Sequence, residues 1–106
     1  MPKYMVQASY TSEGIKGVLA KGGSSRREVV QKMAEELGGT VEGFYFAFGD
    51  TDAFVILDMP DNTSVAAAAM TVSASGATKA TTVALLTPEE MDEAAKKTVH
   101  YVPPGG

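Results

Sequence analysis

The sequence predicts an α+β sandwich, a four-stranded antiparallel sheet with its helices on one face. Two observations support it, and a third bounds the chemistry. Segments of strand and helix character follow one another as β-α-β-β-α-β within 106 residues, enough for one domain and one modest core. Two aromatic and β-branched runs, Thr40 to Phe48 and Ala53 to Leu57, flank Gly49-Asp50 and read as a hairpin. The chain has no cysteine, which excludes a disulfide framework, a thiolate nucleophile and Cys-ligated zinc or iron–sulfur centres.

Each element follows from its residues. Tyr4, Val6, Ala8 and Tyr10 alternate with Met5, Gln7 and Ser9, so Lys3 to Tyr10 is the first strand. Thr11 and Ser12 open a short helical stretch to Ala20, weakened by Gly14 and Gly17. Ser25 and Glu28 stand at capping-box spacing, and Val30, Met33, Ala34 and Leu37 form one apolar stripe. A longer helix therefore starts at Ser25 and stops at Gly38-Gly39. After the hairpin, Asp61, Asn62 and Thr63 offer caps for an alanine-rich helix from about Ser64 to Ser75, closed by Gly76. Thr78 to Leu86 is the fourth strand. Thr87 caps a last amphipathic helix reaching about Thr98, with Pro88 in its first position and Glu89 and Glu90 in its first turn. Residues 1–98 thus read as a single domain and 99–106 as an extended tail. The order suits a ferredoxin-like sandwich.

The hairpin reads as apolar on both faces. Phe44, Phe46 and Phe48 alternate with Val41, Tyr45 and Ala47, and Phe54 and Ile56 with Ala53, Val55 and Leu57. A sheet with one wet face alternates with polar residues instead. Either local twist and edge overhang account for the second face, or a homodimer or higher homo-oligomer packs sheet to sheet; the dimer is the expectation adopted.

Formal charge is −4, which argues against nucleic acid as a partner. Residues 1–32 carry six basic and two acidic side chains, whereas residues 33–106 carry three and eleven, so an anion site belongs in the first third. The longest apolar run, Val65 to Met70, falls far short of the roughly 20 residues of a membrane span. No leader-like segment opens the sequence. No membrane association and a cytoplasmic location are the expectations.

Arg26 and Arg27 fall in the first turn of the longer helix, where the dipole disfavours cations. They either pair with acids such as Glu28, Asp50, Asp52 or Asp58, or hold a carboxylate or phosphate. Asp50 and Asp52 flank the hairpin turn, as turn formers or as a carboxylate pair. Tyr4, Tyr10 and Tyr45 lie on strands where a phenol either packs or orients a ligand. His100 is the one imidazole, in the tail, so a multi-histidine metal site is excluded. Neither metal nor cofactor is expected.

The segments Tyr10-Thr11-Ser12-Glu13-Gly14-Ile15-Lys16-Gly17, Arg26-Arg27, Leu37-Gly38-Gly39, Phe44 to Asp52, Pro60-Asp61, Ser75-Gly76 and Leu86-Thr87-Pro88-Glu89-Glu90 occur in an order that resembles bacterial GYD-domain proteins. The resemblance implies a dimeric α+β barrel. The family signature of glycine, a variable residue, tyrosine and aspartate maps to Gly49, Asp50, Thr51 and Asp52, so Thr51 replaces the tyrosine while the acid is kept at Asp52. Candidate ligand-binding residues are Arg26, Arg27, Tyr45 and Asp52. The favoured reading is a homo-oligomeric ligand-binding or interaction module for a small anionic metabolite. The alternative, drawn from related barrels, is a cofactor-independent oxygenase- or isomerase-like enzyme.

Overall fold

Alternation along Lys3–Tyr10 becomes β1, an inner strand of the sheet, in a computed structural model that describes residues 1–106. The elements that follow are α1 (Ser12–Lys21), α2 (Gly23–Glu36), β2 (Thr40–Phe46), β3 (Ala53–Asp58), α3 (Asn62–Ala74), β4 (Thr78–Leu85) and α4 (Pro88–Ala95). The sheet order is β2-β3-β1-β4 with every neighbour antiparallel, the ferredoxin-like arrangement expected from the sequence. No helix is long and apolar enough to cross a membrane.

Register assigns the two faces. Val6 stands opposite Val55 and Thr82, and Met5 opposite Ile56 and Val83. Tyr4, Val6 and Ala8 therefore face the helices with Ala53, Val55 and Leu57. Met5, Phe54, Ile56 and Val83 face the other way. The core holds Tyr4, Ala34, Val55, Leu57, Met59 and Val65, with Met59 fully enclosed. The Tyr4 hydroxyl donates to Asn62 Oδ1, so this buried phenol is satisfied.

Four details differ from the sequence reading. First, β2 carries a bulge: Val41 opposes Leu57 and Gly43 opposes Ile56, leaving Glu42 as the extra residue. The bulge turns Val41 onto the same face as Phe44, and both pack against the core. Of the hairpin's open-face apolar residues, β2 thus supplies Tyr45 and β3 supplies Phe54 and Ile56. Second, β2 ends at Phe46, and Phe48 stands fully exposed in the connecting loop. That loop is closed by the Ala47 N–H donating to the Asp52 carbonyl at 2.8 Å. Third, α2 begins at Gly23, without the Ser25 to Glu28 capping box. Gly22, at φ 84°, ends α1 and starts α2 in one residue, a left-handed conformation suited to glycine. Fourth, α4 stops at Ala95 rather than Thr98, although its Thr87–Glu90 capping box and Pro88 form as expected.

On the open face, Lys3 Nζ donates to Asp58 Oδ1 at 2.8 Å and Glu42 Oε2 at 2.6 Å. The Asp58 bond, with help from Glu42, pushes the ammonium up to about 12 from its ordinary 10.5. A folded value above the unfolded one contributes stability in full below 10.5 and loses it as pH rises through 12. Wild type should therefore be more stable than Lys3→Gln at pH 9, with the difference shrinking towards pH 12. Urea unfolding of both chains across that interval measures it.

Candidate functional site

The stripe of α2 and the small side chains of α3 enclose an apolar cleft. Each main helix packs over a different edge of the sheet, α2 on β2 and α3 on β4. The middle of the sheet, β1 and β3, is left between them. Because α3 brings Ala68 and Ala69 to this gap, a cavity of about 70 Å³ remains, walled by side chains such as Val6, Ala8, Val30, Met33 and Phe44. A water needs roughly 10–15 Å³ by the same measure. The space therefore suits a few waters or a ligand body of a few heavy atoms.

Arg26 is the one charged residue in this wall, where the other polar members are Tyr10, Thr78 and Thr82. It precedes Val30 by four residues, so helical periodicity places it at the head of the apolar stripe. Beginning at Gly23, α2 has Arg26 as its fourth residue, at the end of the first turn. No carboxylate lies within 4 Å of either Arg26 or Arg27; the ion pairs of the chain are Lys3–Glu42, Lys3–Asp58 and Lys16–Glu13. The sequence reading in which the arginines tie helix to hairpin through acids is thus not what the structure holds. Arg26 is half-buried and also borders an outer groove with Lys21, Gly22 and Ser25. A path from the surface into the cleft therefore passes its guanidinium.

Tyr10 completes the polar end of the cleft. Burial pushes its phenol up, while the nearby Arg26 guanidinium opposes the shift through its charge, and the Asp52 carboxylate adds a smaller upward push. The phenol is neutral at physiological pH and can donate a hydrogen bond. A neutral donor beside an unpaired guanidinium, facing apolar walls, is suited to a carboxylate with a short hydrocarbon body.

The other candidates do not join this site as ligands. Asp52 Oδ2 accepts from the Tyr10 backbone N–H at 2.8 Å, and the Asp52 N–H donates to the Ala8 carbonyl at 2.8 Å. Its carboxylate positions the end of β1. Asp50 is exposed, and its carbonyl accepts from the Ser9 hydroxyl at 2.6 Å, so the two acids form no pair. Arg27 lies outside the cleft, in grooves along β2 with Phe44 and Tyr45, and Tyr45 is exposed. Of the four predicted residues, Arg26 enters the cleft and Asp52 supports its rim, whereas Arg27 and Tyr45 sit at the β2 edge. Thr78 and Thr82 were not singled out, yet they follow from period-2 alternation along β4 once its register with Tyr10 and Val6 is known.

A family profile, that of the GYD domain, matches residues 4–95. No curated protein and no solved structure matches the chain.

Proposed function

Taking as premise that the chain belongs to the GYD domain family, we propose that it is a small homo-oligomeric module that binds a short-chain carboxylate in the cleft between α2 and α3. The observation that carries this reading is Arg26, a half-buried guanidinium with no acidic partner at the head of an otherwise apolar cavity. A cation placed on the core-facing stripe of a helix breaks the local rule for stability, and such departures concentrate at functional sites. The carboxylate takes its hydrogen bonds from Arg26 and the Tyr10 hydroxyl. Its hydrocarbon body displaces water against Val30, Phe44 and the α3 alanines. The small cavity favours bodies of two to four carbons over aromatic acids.

Thermal unfolding in the presence of acetate, propionate, butyrate and benzoate tests this. Binding to the native state alone stabilises by about 2.7 kcal/mol at 100 times Kd, so the short acids should raise Tm by several degrees. Arg26→Ala should abolish the rise, and Arg27→Ala should leave it in place. Absence of any shift with the aliphatic acids at tens of millimolar overturns the proposal.

A second reading rests on Tyr10. A neutral phenol raised by burial and set beside a guanidinium can also protonate a bound anion, which is the cofactor-independent enzyme. Once a ligand is found, Tyr10→Phe should eliminate turnover while changing its Kd less than tenfold. Detection of a ligand that is bound and never altered decides for the module.

A further inference from the structure

The open sheet face carries an apolar band that is only half-buried, and the C-terminal segment carries apolar side chains that the rest of the chain leaves exposed. Met5, Ile56 and Val83 form a row across the middle of the open face, with Phe54 in the next row beside Gln7 and Leu85 in the opposite row beside the Lys3–Asp58 pair. The segment leaves the sheet directly after Leu85, one row from Met5 and Val83, and every residue from Pro88 to Gly106 is exposed. It nonetheless carries Leu86, Met91, Val99, Tyr101 and Val102, each more than half exposed. Within α4, Met91, Ala94 and Ala95 stand at i, i+3 and i+4, forming one apolar stripe opposite the acids.

Helix α4 cannot be held by its own sequence. It has eight residues, and isolated helices shorter than about 12–15 residues are marginal in water. Its capping box and Pro88 favour nucleation, but its stripe lacks a packing partner within the subunit. The dimensions agree. The radius of gyration is 16.9 Å, where a compact domain of this length has about 13 Å. Accessible surface is 7429 Å², where a monomer of this mass exposes about 5,700 Å². The excess is roughly 1,800 Å² per chain. Two chains that hid it in each other would bury roughly 3,500 Å², within the range of obligate homodimers.

We infer that residues 86–106 are an exchange arm that docks on a second copy of this chain, lying across the apolar middle of its open sheet face. The inference rests on the homo-oligomeric reading above and adds the element that closes the assembly. A second copy, rather than an unrelated protein, is the occupant because one chain supplies both complementary surfaces in equal number and the surface excess has the size of a dimer interface. Reciprocal exchange closes about a two-fold axis and leaves no arm unsatisfied. Ser9 and Lys79, paired at the polar end of the same face, stay clear of the apolar arm.

The chain has no cysteine, so a single Met91→Cys substitution on the exposed arm accepts a nitroxide label without competing sites. Labelled protein is mixed with nitrogen-15-enriched wild type, and mass and amide signals are measured on the mixture. The inference predicts a particle of twice the 11.1 kDa chain mass, with broadening of the Met5, Phe54 and Val83 amides of the enriched, unlabelled copy. In the full-length chain, Met91→Asp should raise the dimer dissociation constant at least tenfold without altering the monomer's fold. A dimer lacking intermolecular broadening, and indifferent to Met91→Asp, overturns the arm and leaves the homo-oligomer standing. A monomer at every concentration overturns both.

Discussion

Met59→Ala is expected to lower the free energy of unfolding by about 2–5 kcal/mol, the range for large-to-small changes at fully packed sites. Met59 is the large side chain with no exposed surface at all, and it sits beyond the end of β3 in the cluster that joins Tyr4, Leu57 and Val65. Its own backbone N–H donates to the Pro2 carbonyl at 3.0 Å, so the residue is anchored and the void cannot close by sliding the chain. A domain of this size has roughly 5–15 kcal/mol in total, making the loss a large fraction of its stability. Met59→Leu, which conserves volume, should cost less than about 1.5 kcal/mol. Urea unfolding of the three chains provides the comparison. Equal midpoints for Met59→Ala and wild type would show that the core is centred elsewhere.

The second large effect is a reversal of sign between two glycines of α1. Alanine for glycine within a helix normally stabilises by about 0.5–1 kcal/mol. Gly17 should follow that rule, because an added methyl meets nothing within 4 Å. Gly14 should break it. A Cβ there would lie 2.1 Å from the Ala77 carbonyl oxygen and 3.2 Å from Tyr10 Cδ1. That oxygen is backbone, and it is fixed by the Thr11 N–H at 3.0 Å and the Thr11 hydroxyl at 3.2 Å, so it cannot yield as a flexible side chain would. Gly14→Ala should therefore destabilise by about 1–3 kcal/mol, the usual cost of overpacking. It should also weaken carboxylate binding, since the displaced turn of α1 touches Tyr10. Parallel unfolding curves for the two single variants check the opposite signs.

Much of the fold was legible because the dominant signals are local. The β1 limits, the Asp61 and Thr87 caps and the stops at Gly38 and Gly76 each depend on residues a few positions apart. What escaped the sequence is what depends on pairing across the sheet. The Glu42 bulge leaves no mark in β2 itself, because Val41-Glu42-Gly43-Phe44 reads as an unbroken strand until its register with β3 is known. Arg26 and Arg27 are adjacent and chemically alike, and the capping-box spacing starts the longer helix beside them at Ser25, where the structure starts it at Gly23. Extending the stripe one turn back does not separate the pair, since Arg26 precedes Val30 by four residues and Arg27 precedes it by three; only the way α2 lies on the sheet does. Tyr10 was harder to assign: its place beside Arg26 depends on how α2 lies over the end of β1, which no local pattern encodes. Asp52 is legible as a residue of this neighbourhood, whereas its bond to the Tyr10 backbone N–H depends on the pairing of distant segments.

The bulge in β2 has an effect at the margin of the sheet as well as on its faces. In the order β2-β3-β1-β4, β2 has one side without a neighbour, and a flat strand there offers a regular row of N–H and C=O groups on which another strand could grow. Glu42 interrupts that row near its middle with an extra residue and a negative charge, and Gly43 beside it adds no side chain to a zipper. A one-residue deletion that straightened β2 would thus expose a template for end-to-end growth into fibres.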